Sequence, residues 1–543
     1  MQKILYQQSL QSCRRGPDNH KNLSTENTYF GFNRLSINGI NKGSDQPFEI
    51  LNCILICNGE IYNYRELYNI VETKPTTESD CEIIIHLYRK YGIEHSVRFL
   101  NGCFAFVLYD TTNGNVYVCR DRFGIRPLSY MSLIDVSHPC FVFTSELKQL
   151  TVFTKALQPK SLEIKHFSPG HITTYLKNGT GMFVLSNECT YYTTPMYTLG
   201  FKHDISLVHA KIRSILKKAV EKRVLNTSDR NICCLLSGGL DSSLITALTS
   251  KYIPNVKTFS IGLIGSEDLK YAKQVAEYLG TNHHEVVVSE NDFFDAIPEV
   301  IKAIESYDTT TVRASVGNYL IAKYIAKNHD DVVVMNGDGS DELTGGYIYF
   351  RESPNVYISD VENRRLLKDI HMFDALRSDK CIASNGLESR TPFLDHEFVN
   401  YYLSLDPNVR YKNMKIEKQL LRNAFAEVGI LPKNIIERGK EAFSDGVSSL
   451  HRSWFSIIKE KIEDRRNGFL IDHFKTSDLK EVLDIYKNTK NPPRTLEQLY
   501  YRKIFDDLYP NCSHIIPYFW MPRFVDCEDA SARLLPNYMK NKI

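Results

Sequence analysis

Ile232-Cys233-Cys234-Leu235-Leu236-Ser237-Gly238-Gly239-Leu240-Asp241-Ser242-Ser243 is the stretch on which the fold turns. The apolar run 232–236 has strand length. It gives way to a glycine-rich turn, and a helical pattern then continues to about Lys251. A glycine turn between a strand and a helix bares backbone N–H groups at the positive end of the helix dipole, where a phosphate can sit. The glycine spacing is wrong for a Walker A loop, and no Gly-Lys-Ser/Thr follows. An ordinary glycine turn with Ser and Asp as N-caps explains any one tripeptide of this stretch; the seven residues 237–243 together, between strand and helix, favour a nucleotide.

Outward from this turn the pattern repeats. From about residue 200, the segments 207–224, 269–279 and 316–326 show helical periodicity and alternate with apolar runs at 231–236, 257–261 and 331–335. That alternation is the signature of a parallel sheet covered by helices. The last run leads into Asn336-Gly337-Asp338-Gly339-Ser340-Asp341-Glu342, which carries carboxylates at 338, 341 and 342. Such a cluster is unfavourable unless it is solvated or holds a cation, and Mg²⁺ is usually held by one or two carboxylates plus substrate phosphates. A solvated acidic turn is the plain alternative. Its place beyond a strand's carboxyl end, beside the first loop, favours the metal.

Before residue 185 the chain reads differently. Short apolar or alternating runs at 50–57, 103–109, 116–119 and 141–143, punctuated by turn residues, predict a largely sheet domain. The polar stretch 186–204 is the candidate linker. Two domains, 1–190 and 205–543, suit a chain of 543 residues. The net charge of +2, from 66 basic and 64 acidic residues, gives no electrostatic reason to expect nucleic acid or an anionic membrane. No window reaches the roughly 18–20 apolar residues of a membrane span, and no apolar signal core opens the chain. A cytoplasmic enzyme of small-molecule chemistry is the expectation. The 13 cysteines include no CxxC pair and read as reduced, buried thiols rather than zinc ligands. Cys233 and Cys234 are expected on opposite faces of one strand.

The loop Ser-Gly-Gly-Leu-Asp-Ser resembles the pyrophosphate loop of N-type ATP pyrophosphatases, which cleave ATP to AMP and pyrophosphate. Beyond it, Thr258-Phe259-Ser260-Ile261-Gly262, Gly345-Gly346-Tyr347, Gly386-Leu387-Glu388-Ser389-Arg390-Thr391-Pro392-Phe393-Leu394-Asp395, Trp520-Met521-Pro522 and Ser531-Ala532-Arg533 make most of 205–535 resemble the synthetase domain of asparagine synthetases. That resemblance implies an α/β N-type ATP pyrophosphatase domain, related to the adenine nucleotide alpha hydrolases. Leu235, Leu236, Ser237, Gly238, Gly239, Asp241, Ser242, Ile261, Asn336 and Gly337 would bind ATP. Asp241 and Asp341 would hold Mg²⁺. Lys440 would neutralise the departing pyrophosphate. Thr310, Thr311 and Arg313 would position aspartate and ATP for a β-aspartyl-adenylate, although Lys440 and Arg313 taken singly read as salt-bridge residues. The family loop is Ser-Gly-Glu-Gly-Ser-Asp-Glu; here Asn336 and Asp338 replace the Ser and the first Glu. Asp338, expected to act on the adenylate or the incoming ammonia, must therefore reach its substrate with one methylene less.

Arg14-Arg15-Gly16-Pro17-Asp18, Arg34-Leu35-Ser36-Ile37, Asn58-Gly59-Glu60-Ile61-Tyr62-Asn63, Ser79-Asp80 and Asp121-Arg122-Phe123-Gly124 resemble the glutaminase domain of the same enzymes, an α+β sandwich of the Ntn type, incomplete at its N-terminal end here. The match implies that Arg34 pairs with the glutamine carboxylate and Asp80 with its ammonium. Asn58 and Gly59 would supply the oxyanion hole, and Glu60 completes the glutamine-binding set. In such domains the nucleophile is an N-terminal cysteine whose own amine acts as base, whereas this sequence opens Met1-Gln2-Lys3. Cys13 is internal and is expected to be a small core residue. Either the true start lies upstream with that cysteine, or a shortened form uses free ammonia; a missing interior strand would leave an unpaired sheet edge. Family position places Asn385, Glu388 and Arg390 at the domain interface, and analogy suggests a homodimer. A β-lactam-synthetase-like ligase and a catalytically silent homologue are the alternative readings.

Overall fold

The computed structural model describes residues 2–133, 139–157, 162–199, 203–227, 229–412, 414–535 and 538. Helix α1 (Gln2–Ser9) precedes strands β1 (Asn19–Ser24) and β2 (Tyr29–Arg34). The first domain continues through β3 (Phe48–Ile50), β4 (Cys53–Ile61), helix α2 (Ile83–Tyr91), β5 (Gly102–Asp110), β6 (Asn115–Arg120), β7 (Ser129–Leu133), β8 (Phe141–Thr144), β9 (Leu162–His166), β10 (His171–Lys177) and β11 (Phe183–Thr190). An antiparallel six-stranded sheet runs in the order β11-β10-β6-β5-β4-β3, and β8-β7-β9 form a smaller sheet. Strand β5 shows why its run is apolar throughout. Phe104, Phe106 and Leu108 pack under α2 with Ile84 and Leu87, while Ala105, Val107 and Tyr109 pack with Phe30 and Tyr130 of the other layer. Among the described residues β2 pairs only with β1, and β8 only with β7.

Two expectations need correction. The run 50–57 is not one strand: Leu51 and Asn52 adopt φ of 51° and 56° and form the tight turn of the β3–β4 hairpin. The stretch read as a linker, 186–204, opens as sheet, because β11 pairs with β10 as far as Thr190. Tyr191 and Tyr192 then tie it down, donating hydroxyl hydrogen bonds to the Arg120 carbonyl at 2.8 Å and to Asn400 Oδ1 at 2.7 Å. Residues 200–202 of that stretch lie outside the described residues.

Asp204 caps helix α3 (Ile205–Leu225), accepting from the Ser206 and Leu207 amides. Then come β12 (Asn231–Leu235), α4 (Leu240–Thr249), β13 (Lys257–Leu263), α5 (Glu267–Leu279), β14 (Asn282–Val288), α6 (Thr309–Asn328), β15 (Asp331–Met335), α7 (Ser340–Thr344), α8 (Asp374–Ala383) and β16 (Glu388–Arg390). All pairs in the sheet β14-β13-β12-β15-β16 are parallel. Cys234 lies in the core on the α3 side with Leu216 and Leu244, and Cys233 in the core on the α6 side with Val316 and Ile325, as strand alternation requires. The strand order turns back between β12 and β15, which opens a crevice at their carboxyl ends. Among the described residues no helix is long and apolar enough to cross a membrane.

Candidate active sites

Strands β12 and β15 end side by side, with Cys234 opposite Met335, so the two loops beyond them meet in one cavity of about 180 Å³. The turn is built by its glycines. Gly238 takes φ +71°, and a Cβ there would stand 2.4 Å from the Ala272 backbone nitrogen, so only glycine lets the loop rest on α5. A Cβ on Gly337 would stand 2.7 Å from the Asp241 Cβ, so the second glycine lets the two loops close on each other. Leu235, Leu236, Ser237, Gly239, Asp241, Ser242, Ile261, Asn336 and Gly337 all line the cavity. Gly238 is absent from the lining; its contribution is the turn itself.

Carboxylates and ammonium groups alternate at the polar end. Asp241 accepts from Ser340 Oγ at 2.8 Å and pairs with Lys418. Lys418 also stands 2.6 Å from Asp341, which pairs in turn with Lys440 at 2.5 Å. Burial alone would raise the Asp341 carboxyl, yet the two ammonium groups hold it well below the usual carboxylate range. Burial would lower the Lys440 ammonium, and Asp341 and Asp241 more than reverse that. Lys418 is buried at 2% exposure and takes a left-handed φ of 59°, unusual for a residue with a Cβ. No sequence motif marked it. Its role comes from a loop that folds back over 170 residues after Asp241.

Asp338 lies beside these groups, and its Oδ1 accepts from Arg377 Nη2 at 3.0 Å. Arg377 also donates through Nε to Asp374 at 2.7 Å. Tyr347 donates to Glu342 at 2.6 Å and Asp374 at 3.2 Å. Burial and the Asp374 and Asp341 charges push Glu342 well above the ordinary glutamate range. Arg377, Glu342, Tyr347 and Asp374 line the same cavity and were not singled out from the sequence, although Glu342 and Tyr347 stood inside the quoted motifs.

The stretch 310–313 divides. Thr310 lines the cavity, and its buried hydroxyl has no protein partner. Thr311 instead turns back to the helix cap, donating through both N and Oγ1 to Asp308 Oδ2 at 2.9 and 2.7 Å. The Arg313 guanidinium is absent from the lining of this cavity. It is held by Glu497 at 2.7 and 2.8 Å, by Asp529 at 2.8 Å, and against the Phe455 ring. Helical geometry explains the split, because consecutive helix residues face different directions.

In the first domain a cavity of about 440 Å³ gathers Arg34, Asn58, Gly59, Glu60 and Asp80. The Arg34 fork is taken up within the protein, donating to Asp45 at 2.6 Å, to the Asn41 carbonyl at 3.0 Å and to the Asn38 carbonyl at 3.2 Å. Asn58 Nδ2 donates to Ser145 Oγ at 3.2 Å, and Asn38 donates to Glu60 at 2.7 Å. Burial pushes Asp80 up to about 6, opposed by its hydrogen bond from the Ile61 amide and by Arg390. Burial and the Asp80 charge also raise Glu60 well above the ordinary range. Beyond this polar end the cavity becomes apolar and runs between β2 and β8, lined by Phe30, Phe141, Phe143 and Tyr175. Cys13, expected in the core, is exposed in the turn after α1, as is Cys140 on the cavity wall.

A buried ionic seam joins the two domains. Arg15 grips Asp379 at 2.5 and 2.8 Å, and Arg126 pairs with Asp379 and with Glu388, both at 2.8 Å. Arg390 pairs with Glu388 at 2.8 Å and reaches Glu60 at 3.4 Å. Glu388 and Arg390 thus stand at the interface as expected. Asn385 does not join the seam; it donates to the Cys381 carbonyl at 2.9 Å.

An antiparallel layered domain carrying a cluster of buried polar groups is thus joined to a parallel-sheet domain with a glycine-rich loop at a strand's carboxyl end. A family model described as a glutamine amidotransferase domain matches residues 2–180, and one described as asparagine synthase matches 211–362 and 359–519. The asparagine synthetase (glutamine-hydrolyzing) of Gallus gallus is 40% identical over 555 residues, covering 98% of this chain and 95% of the relative. Those of Bos taurus and Homo sapiens are 40% and 39% identical, with the same coverage. The chain belongs to the asparagine synthetase family.

Proposed function

We propose that this chain makes asparagine from aspartate and ATP, with nitrogen from glutamine or from free ammonia, through a β-aspartyl-adenylate and with release of AMP and pyrophosphate. The observation that carries this reading is the convergence of Asp241, Asp341, Lys418 and Lys440 on one end of a cavity whose other end is lined by Leu235, Leu236 and Ile261. A polyphosphate suits the first end and an adenine the second. Asp241 and Asp341 fit a hard divalent cation in donor type, and no cluster of three or more His, Cys, Asp or Glu ligands exists among the described residues. Mg²⁺ at these two carboxylates would therefore draw its remaining ligands from phosphate and water, and would supply charge neutralisation for the pyrophosphate.

The chain's own residues supply the rest. Lys418 and Lys440, both in contact with Asp341, stabilise negative charge as pyrophosphate departs. The free Thr310 hydroxyl serves the aspartyl or phosphate oxygen, while Thr311 and Arg313 hold the segment that carries it. Asp338, tethered by Arg377, receives a proton from the ammonia that attacks the adenylate as AMP leaves. Arg34, Asn58, Gly59, Glu60 and Asp80 are assigned to glutamine, with Arg34 exchanging its internal partners for the substrate carboxylate. A cytoplasmic location and a homodimer are inferred from family analogy. The test is asparagine, AMP and pyrophosphate formation with ATP, Mg²⁺ and aspartate, comparing ammonium with glutamine. Absence of aspartate-dependent exchange of labelled pyrophosphate into ATP by folded protein overturns the reading.

A further inference from the structure

The 336–342 loop departs from its family pattern at two positions, and the structure links them. Asn336 is buried at 3% exposure, and its amide nitrogen forms one corner of a closed polar triangle. Nδ2 donates to Ser378 Oγ at 2.9 Å and to Ser389 Oγ at 3.0 Å, and the two serine hydroxyls lie 3.0 Å apart. Its Oδ1 accepts from the backbone N–H of Asp338 at 3.2 Å. That bond fixes the amide's orientation, since a flipped amide would point two donors at a donor.

The partners matter as much as the bonds. Ser378 lies on α8 directly after Arg377, the residue that holds the Asp338 carboxylate. Two consecutive residues of one helix therefore grip the loop at two points: Ser378 holds Asn336, and Arg377 holds Asp338. Ser389, on β16, anchors the triangle to the sheet. A serine at 336, the family residue, has a single donor hydrogen on a shorter side chain and cannot donate to both Ser378 and Ser389 as the Asn336 amide does. The triangle thus fixes the backbone from which a carboxylate one methylene short must work.

We propose that Asn336, acting through Ser378 and Ser389, is a positioning residue that sets the reach of Asp338, so that positions 336 and 338 work as a coupled pair. The inference rests on the role given to Asp338 above. It makes Asn336 a determinant of turnover, beyond its share of the nucleotide lining. Misplacing a reacting group by about 1 Å costs on the order of a hundredfold, so partial loosening is expected to cost roughly tenfold.

The experiment is a cycle of N336S, D338E and N336S/D338E in the full chain, with S378A as an independent route to the same loosening. Asparagine-forming kcat with ammonium, KM for ATP and aspartate, and melting temperature are measured for each. Expected results are a fall of about tenfold in kcat for N336S and for S378A with ATP KM held within about twofold, a loss in D338E, and recovery in the double variant to within about threefold of the parent. Multiplicative losses in the double variant overturn the proposal, as does an N336S variant that raises ATP KM and leaves kcat intact. A parent protein inactive with ammonium refutes the functional reading itself, so the two failures are distinguishable. If N336S does not fold, S378A with D338E completes the same cycle.

Discussion

Replacing Lys418 by methionine tests the proposed phosphate site most directly. The side chain is buried, its ammonium contacts Asp241, and it stands 2.6 Å from Asp341, so the substitution keeps most of the volume and removes one of the two cations. A unit charge pair about 4 Å apart is worth roughly 4 kcal/mol at an effective dielectric of 20. Lys440 remains 2.5 Å from Asp341 and carries part of the load, so a loss of about 3 kcal/mol of transition-state stabilisation is expected, a hundredfold or somewhat more in kcat. Stability should fall too, because two carboxylates that shared this cation are left facing each other. The assay is steady-state pyrophosphate release with ammonium as nitrogen donor, with ATP–pyrophosphate exchange to isolate adenylation, and a melting curve as the check on folding. A folded K418M protein whose kcat and exchange rate lie within about threefold of the parent refutes the assignment of Lys418 to the departing pyrophosphate.

Thr310→Val should cut kcat/KM for aspartate by about tenfold with little change in melting temperature, because its buried hydroxyl has no protein partner to lose. Arg313→Ala should do the reverse and cost about 3 kcal/mol in stability measured by denaturation, since the buried Glu497 and the half-buried Asp529 would lose their shared cation. Asp80→Asn should abolish any glutamine-dependent activity and spare ammonium-dependent synthesis. Its stability effect has a sign fixed by pH: the folded Asp80 value of about 6 lies above the ordinary 3.8, so its contribution is fully present below about pH 4 and lost as pH rises through 6. The asparagine variant lacks that loss, and its urea midpoint should gain on the parent between pH 4 and 7. Gly238→Ala should remove exchange activity altogether, because a Cβ would meet the Ala272 nitrogen at 2.4 Å in a backbone conformation of φ +71°.

Local signals in the sequence were enough for the two-domain plan and for the two loops that follow β12 and β15 into one cavity. Strand periodicity, glycine placement and the Ser-Gly-Gly-Leu-Asp-Ser run depend on neighbours a few residues apart, and β12, β13 and β15 lie where those patterns put them. The failures are also local in origin. The run 50–57 conceals a hairpin because a two-residue turn there is made by Leu51 and Asn52, without the glycine that usually marks one. The stretch 186–190 is polar yet is strand, because β11 is an edge strand whose side chains are mostly exposed.

Which residues of a motif face the cavity was decided only by the tertiary structure. Thr310, Thr311 and Arg313 are adjacent in sequence and were expected to act together, but α6 turns them in different directions and only Thr310 lines the cavity. Lys418, Arg377 and Asp374 carry no motif that identifies them; they join the site because the chain folds back long after Asp241. The ionic seam of Arg15, Arg126, Asp379, Glu388 and Arg390 draws its members from both domains. Charges that pair across a buried interface have no periodicity along the chain. Sequence records backbone preference and the spacing of near neighbours, whereas electrostatic partnership depends on distance in space, and that distance exists only once the sheet has closed.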